Sequence, residues 1–316
     1  MQAVRYEQYG GPEVLRLVEV PDPEPGPGQV RVDLRAASVI PGDWKVRAGH
    51  LKEYFPISLP KIPGRDGAGV VTKLGPDVDY ITVGTPVCVV AQHTEPGTYA
   101  QAIVRDRESI TPLPRNLSFD EGAALIHAGV CAWICLVETA DLRPGMRVLV
   151  HGGAGAIGGL AVQLARHLGA HVAATCRAEN AAYVGELGAH QVVAYDRNDF
   201  ADELKDFDVV LDLIGGDVHR RSYPVLKPNG HIVCLIAAPF ENRAAEFGIR
   251  VTTPRITDHR QALDCIAALA ASGVLRPQIC ARVELAQAAE AQRRLEQGLV
   301  TRGRIILRIP PAGPAA

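Results

Sequence analysis

The stretch VLVHGGAGAIGGLAVQLARHLGA, Val148 to Ala170, passes from β-branched residues through five glycines into a helix-like apolar pattern. Gly153, Gly155 and Gly158 form G-x-G-x-x-G, a pattern that gains weight when it follows a strand directly and opens a helix. Glycine at these positions lets the backbone approach closely enough for helix N–H groups to meet a pyrophosphate, whose charge the helix dipole favours. The stretch therefore predicts a dinucleotide seat, with Ala156 and Ile157 before the last glycine. A tight strand-to-helix turn with no ligand remains the competing reading.

Working outward, "RVLVHG", "HVAATC", "QVVAY", "FDVVLDLIG" and "HIVCLIA" read as strands separated by helical stretches. That alternation predicts parallel strands with crossover helices in a doubly wound sheet. Ser118, followed three residues on by Glu121, is a capping-box pattern ahead of an apolar helix carrying Ala123, Leu125, Ile126, Val130 and Trp133. From Met1 to about Pro114, short strands such as "QVRVDLRAASV" are cut by "PDPEPGPG" and "GPDVD", which predicts a compact antiparallel β domain. The β texture returns after Pro254 and ends in "GRIILRI". The expected class is α/β, with a nucleotide domain over 119–254 inserted between two pieces of a β domain, 1–118 and 255–316.

A chain of 316 residues suits two such units. Hydrophobic residues at 47% against charged ones at 22% give the balance of a globular chain rather than a disordered one. With 33 basic and 35 acidic residues, the net charge of -2 offers no attraction to nucleic acid or a membrane surface, which leaves a small molecule as partner. The first residues lack an apolar signal core, and no later run reads as membrane-length, so the expected location is the cytoplasm. Seven scattered cysteines with no C-x-x-C pair indicate neither a disulfide framework nor a zinc knuckle.

The type of dinucleotide is decided about 20 residues past the turn, where an acid holds a ribose hydroxyl or a base holds a 2′-phosphate. The strand "HVAATC" is followed by Arg177, and no acid comes before Glu179. A planar guanidinium suits phosphate, which favours NADPH (NADP+), whereas Glu179 would oppose it if it faced the same site.

The segments "YGGPEVLRLVEVPDPEPGPGQV", "SVIPGDWKVRAG", "IPGRDGAGVV", "LSFDEGAAL", "VLVHGGAGAIG", "VVLDLIGG", "LKPNGHIV" and "GRIILRI" follow one another along nearly the whole chain. In that order they resemble the medium-chain dehydrogenase/reductase superfamily, and within it the zinc-independent quinone oxidoreductase branch that includes zeta-crystallin and the alkenal and enone reductases. The resemblance implies a GroES-like β domain completed by the C-terminal segment, a Rossmann domain, a cofactor in the cleft between them, and a homodimer. It implies hydride transfer to the β-carbon of an α,β-unsaturated carbonyl or a quinone. It further implies cofactor contacts at Asn180, Tyr195, Leu235 and Ala237, with Arg304 replacing a lysine common in relatives. Zinc-dependent relatives carry a Cys after the strand here ending "AASV" and a His-Glu pair in the segment here reading "GRDGAG". This chain has Ile40-Pro41 and Arg65-Asp66 there, so no metal is expected.

The departures from the family bear on chemistry. Ile40 replaces an Asn that reaches towards substrate in relatives, and it offers no hydrogen bond. Cys131 replaces a Thr that contacts the nicotinamide amide, and His127, four residues earlier, shares its helix face. His127 is the leading candidate for a general acid or base, against a packing role at the domain interface. Asp43 and Lys45 are further catalytic candidates, the first also readable as fixing a turn and the second as a positive charge for an enolate. Ile40, Trp44, Arg65 and Cys131 are expected around the substrate, while Asp66 is expected only to shape a strand entry. Beside the reductase reading stand two others: an acid/base cyclase, isomerase or eliminase on the same scaffold, and a non-catalytic dinucleotide-binding protein.

Overall fold

In Gln29–Val39, every second residue from Val30 to Ala36 is fully buried between half-buried neighbours, as a strand with one face on a core requires. This long strand organises the first sheet. The computed structural model describes residues 1–236, 239–257 and 259–311. The strands, in chain order, are β1 (Gln2–Arg5), β2 (Arg16–Glu19), β3 (Gln29–Val39), β4 (Asp66–Leu74), β5 (Pro86–Val90), β6 (Ala102–Asp106) and β7 (Ile110–Pro112). After β7 come six strands of a second sheet: β8 (Arg147–His151), β9 (His171–Cys176), β10 (Gln191–Ala194), β11 (Phe207–Asp212), β12 (Leu226–Cys234) and β13 (Arg250–Thr252). The last two, β14 (Ile279–Glu284) and β15 (Arg304–Arg308), return to the first sheet, whose order is β14-β15-β3-β4-β5-β7 with β6 also paired to β3.

The second sheet runs β10-β9-β8-β11-β12-β13, and all its pairings are parallel. The order reverses between β8 and β11, so the crevice at their carboxyl ends is where such sheets bind ligands. The fold is a GroES-like β sheet plus a Rossmann doubly wound sheet, as expected from the alternation.

Four helices position the site. They are α1 (Pro41–Arg47), α2 (Phe119–Trp133), α3 (Ala156–His167) and, after β11, α4 (Gly216–Ser222). Ser118 and Glu121 cap α2 reciprocally, as the sequence pattern predicts. This helix lies between the sheets: it packs on α3 to one side and on β3, β4, β5 and β15 to the other. It continues through a π-helical turn, Ile134–Thr139, giving a 21-residue helix that is long and apolar enough, by length and composition, to cross a membrane. The expectation of no membrane-length segment is thereby corrected. Its most apolar window is 78% buried inside the molecule, and a side chain at Gly129 would run into Ile266, so its apolarity is spent on interior packing.

Candidate functional site

The glycine turn joins β8 to α3. Gly152 adopts a φ of 75°, a left-handed conformation that a side chain would resist. A Cβ on Gly158 would run into the Gly152 carbonyl oxygen, so α3 can start this close to the turn only with glycine there. Gly155 occupies the N-cap with no side chain to cap the helix, and the first bond along the axis is from Gly159 N–H to Gly155 O. The N–H groups of Ala156, Ile157 and Gly158 therefore open the helix without intrahelical partners, the arrangement a pyrophosphate satisfies.

At the next strand end, Arg177 is exposed and its Nε donates to Tyr195 Oη at 3.3 Å. Asn180 is buried, and its Nδ2 donates to the Thr301 carbonyl at 3.2 Å. A pocket of about 320 Å³ opens here, with Glu179, Asn180, Arg294, Thr301 and Arg302 in its lining. The guanidinium of Arg302 also stacks on the Tyr183 ring, 5.2 Å from its centroid. Arg294, Thr301 and Arg302 escape a motif reading because they lie more than a hundred residues beyond Asn180 and carry no local pattern. Leu235 extends the pairing of β12 through its N–H to Asp212 O, while Ala237 lies outside the described residues.

A second set of contacts runs from this turn into the first sheet. Gly303 N–H donates to Ala154 O at 3.0 Å, and Gly303 is bridged to Gly155. The neighbouring Arg304 is buried and donates from Nη1 to Asp66 Oδ2 at 2.6 Å and to Ser38 Oγ, while Ser38 Oγ also donates to Asp66. Arg304 thus ties β15 to β3 and β4, and Asp66 carries the balancing charge. Arg65, next to Asp66, is 4% exposed and its Nη2 lies 3.4 Å from His127 Nδ1. An arginine only donates, so this contact is a hydrogen bond when His127 keeps its proton on Nε2, the nitrogen 3.6 Å from Cys131 Sγ. The structure brings Arg65, His127 and Cys131 together.

Ile40 ends the same strand edge and is 7% exposed. Its N–H donates to Asp43 Oδ2 at 3.0 Å, and Tyr99 Oη donates to the same oxygen at 2.9 Å, so Asp43 fixes the entry to α1. Burial pushes the Asp43 carboxyl up to about 7, with the charge of Asp66 adding to it and the two hydrogen bonds opposing. Its other oxygen has no hydrogen-bond partner. On the far side of α1, Lys45 Nζ lies 5.9 Å from the centroid of the Trp44 ring, which itself meets His50 edge-on.

Comparison with known proteins follows the same outline. The family description "alcohol dehydrogenase GroES-like domain" matches residues 26–142, and "zinc-binding dehydrogenase" matches residues 187–307. A 2-haloacrylate reductase of Burkholderia sp is 31% identical over 97% of this chain and 98% of its own length. Quinone oxidoreductase 1 of Escherichia coli K12 is 33% identical over 73% of this chain and 71% of its own. The crystal structure of an Escherichia coli quinone oxidoreductase complexed with NADPH superposes with a TM-score of 0.88 at 28% identity, covering 98% of this chain and 100% of that one.

Proposed function

The chain belongs to the medium-chain dehydrogenase/reductase family, of the quinone oxidoreductase type, and from that premise we propose that it reduces the conjugated C=C of an α,β-unsaturated carbonyl or a quinone with NADPH and without catalytic zinc. It is an oxidoreductase of NADP(H). The observation that carries the finer reading is the buried pairing of Arg65 with His127.

Reduction of an enone places negative charge on the carbonyl oxygen as the enolate forms, and preorganised donors at that oxygen lower the barrier. Where zinc relatives set a metal, this chain sets the Arg65 guanidinium against His127 Nδ1, with the His127 Nε2–H on the Cys131 side of the ring. Ile40 and Arg65 have no lone pair to give, so a three-donor metal set is not available from these positions. The bound nicotinamide supplies the hydride. The N–H groups of Ala156, Ile157 and Gly158 hold the pyrophosphate, and Arg177 and Arg302 provide charge for the 2′-phosphate. Leu235 lies at the nicotinamide end. Cys131 and Ile40 give the acceptor an apolar wall, and the α-carbon takes its proton from water or His127. The near-zero net charge supports a small-molecule substrate, and the family resemblance supports a homodimer.

The test is the loss of NADPH absorbance with a panel of enones and quinones, with and without EDTA. Turnover on at least one acceptor, undiminished by EDTA, is expected. Tight NADPH binding with no oxidation across the panel would sink the reading and favour acid/base chemistry or a binding role.

A further inference from the structure

Beneath the crevice lies a group of side chains that the proposed reaction does not use. Asp212 and Cys234 are register partners at the ends of the adjacent parallel strands β11 and β12, so their side chains leave the sheet on one face. His219, on α4, folds back over them. Its Nδ1 lies 2.8 Å from Asp212 Oδ2 and 3.3 Å from Cys234 Sγ, and all three side chains are fully buried.

The hydrogen count around this group is restrictive. Tyr223 Oη lies 3.1 Å from His219 Nε2, 3.2 Å from the Glu241 carbonyl and 3.0 Å from Arg243 N–H. The carbonyl only accepts and the amide only donates, so the single phenol hydrogen goes to Glu241 and the phenol oxygen receives Arg243. His219 Nε2 must then donate as well. With Nε2 carrying a hydrogen, Nδ1 presents either a second hydrogen or a lone pair, and it does so towards a carboxylate and a sulfur.

We propose that Asp212, His219 and Cys234 form a site for a zinc-class cation, bound through Asp212 Oδ2, His219 Nδ1 and Cys234 Sγ. The three ligand atoms lie within 4.8 Å of one another. Bonds of about 2.0 Å to nitrogen and about 2.3 Å to sulfur at a tetrahedral angle put the two atoms roughly 3.5 Å apart, close to the spacing found. The outer contacts suit the role. Asp212 Oδ1 is held by the N–H groups of Ile214 and Gly215, at 2.9 Å each, and His219 Nε2–H is oriented by Tyr223, which is how metal-bound side chains are fixed. His151, on the neighbouring strand, is not available: its Nδ1 faces Thr175 Oγ1 and its Nε2 faces Ser222 Oγ, each at 3.0 Å. This site is separate from the place where zinc relatives hold a catalytic metal, and it does not depend on the proposed reaction.

Uptake balances as one cation in and the Cys234 thiol proton out, together with the His219 Nδ1 hydrogen where that nitrogen carries one, leaving thiolate, neutral imidazole and carboxylate on the metal. The experiment is elemental analysis of the intact protein purified from cells grown with added zinc or cobalt. It is paired with the absorption spectrum of the cobalt form and with calorimetry in buffers of different ionisation enthalpy. About one metal per chain, a near-ultraviolet thiolate-to-cobalt band and release of at least one proton are expected. Cys234→Ser should abolish the band and weaken retention at least tenfold. Absence of metal from the wild-type chain, or retention unchanged in both Cys234→Ser and His219→Gln, overturns the proposal and leaves a buried histidine–carboxylate hydrogen bond. The wild-type readings decide the matter even if a variant fails to fold.

Discussion

Arg65 Nη2 stands 3.4 Å from His127 Nδ1, joining the entry of β4 to the middle of α2 with both side chains buried. Removing one oxyanion donor from an active site typically costs about 10²–10³ in turnover. Arg65→Gln should therefore lower kcat for an enone or quinone by about a hundredfold, and His127→Gln by about tenfold or more, with the Kd for NADPH unchanged. Steady-state rates beside fluorescence titration of the cofactor check this. Full turnover in both variants would assign the pair to packing alone.

Arg177 follows β9 directly and is paired to Tyr195, whereas Arg302 is stacked on Tyr183 and lines the neighbouring pocket together with Glu179. Replacing each with Ala should weaken NADPH about tenfold and NADH less than twofold, because only NADPH carries the 2′-phosphate. Equal losses for both cofactors would show that the arginines hold the fold and not the phosphate.

The Arg304–Asp66 pair lies between three strands with relative exposures of 5% and 0%. Truncating one partner of a buried ion pair leaves the other charge without compensation, at a cost of about 3–5 kcal/mol. Arg304→Met should show that loss in urea unfolding, and Arg304→Met with Asp66→Asn should recover part of it. A single-variant loss under about 1 kcal/mol would contradict the assignment.

Two buried groups pull stability in opposite directions over one pH range. Burial raises Asp43 from 3.8 to about 7, so the folded chain holds a proton that the unfolded chain has released, and this contribution is lost as pH rises from about 4 to 7. Burial lowers His151 from 6.5 to about 4, so its contribution is present above 6.5 and is lost as pH falls towards 4. Asp43→Asn should gain on the wild type with rising pH, and His151→Gln should gain with falling pH, by roughly 3 kcal/mol each as an upper figure. Unfolding curves at pH 4.5 and 7.5 check both signs. Variants whose offset from the wild type stays constant with pH would refute the linkage.

Much of the architecture is legible in the sequence because it depends on local pattern. The glycine turn, the capping box of Ser118 and Glu121, and the strand–helix alternation each occupy one short window, and the structure shows each in its window. The site is legible only where one segment builds it. His127 and Cys131 share a face by helix geometry, yet the partner of His127 is Arg65, 62 residues earlier, and no period connects them. Asn180 and Thr301 meet across 121 residues, and Asp212, His219 and Cys234 meet through strand register and a helix that folds back. The membrane-length helix is not legible as an apolar run because Asp120, Glu121 and Glu138 fall within it, and its apolar window is instead buried inside the molecule.

The bond from Gly303 to Ala154 has a consequence for how the chain is made. A ribosome delivers β3 to β7 before the parallel sheet, but the sheet they build lacks β14 and β15 until the chain beyond Gln278 emerges, and the cofactor turn lacks its Gly303 contact until almost the same moment. The middle of the chain can close its own parallel sheet while the earliest segment waits unfinished. Translation order and completion order are therefore inverted, and the segment around Gly303 and β15 finishes both halves together.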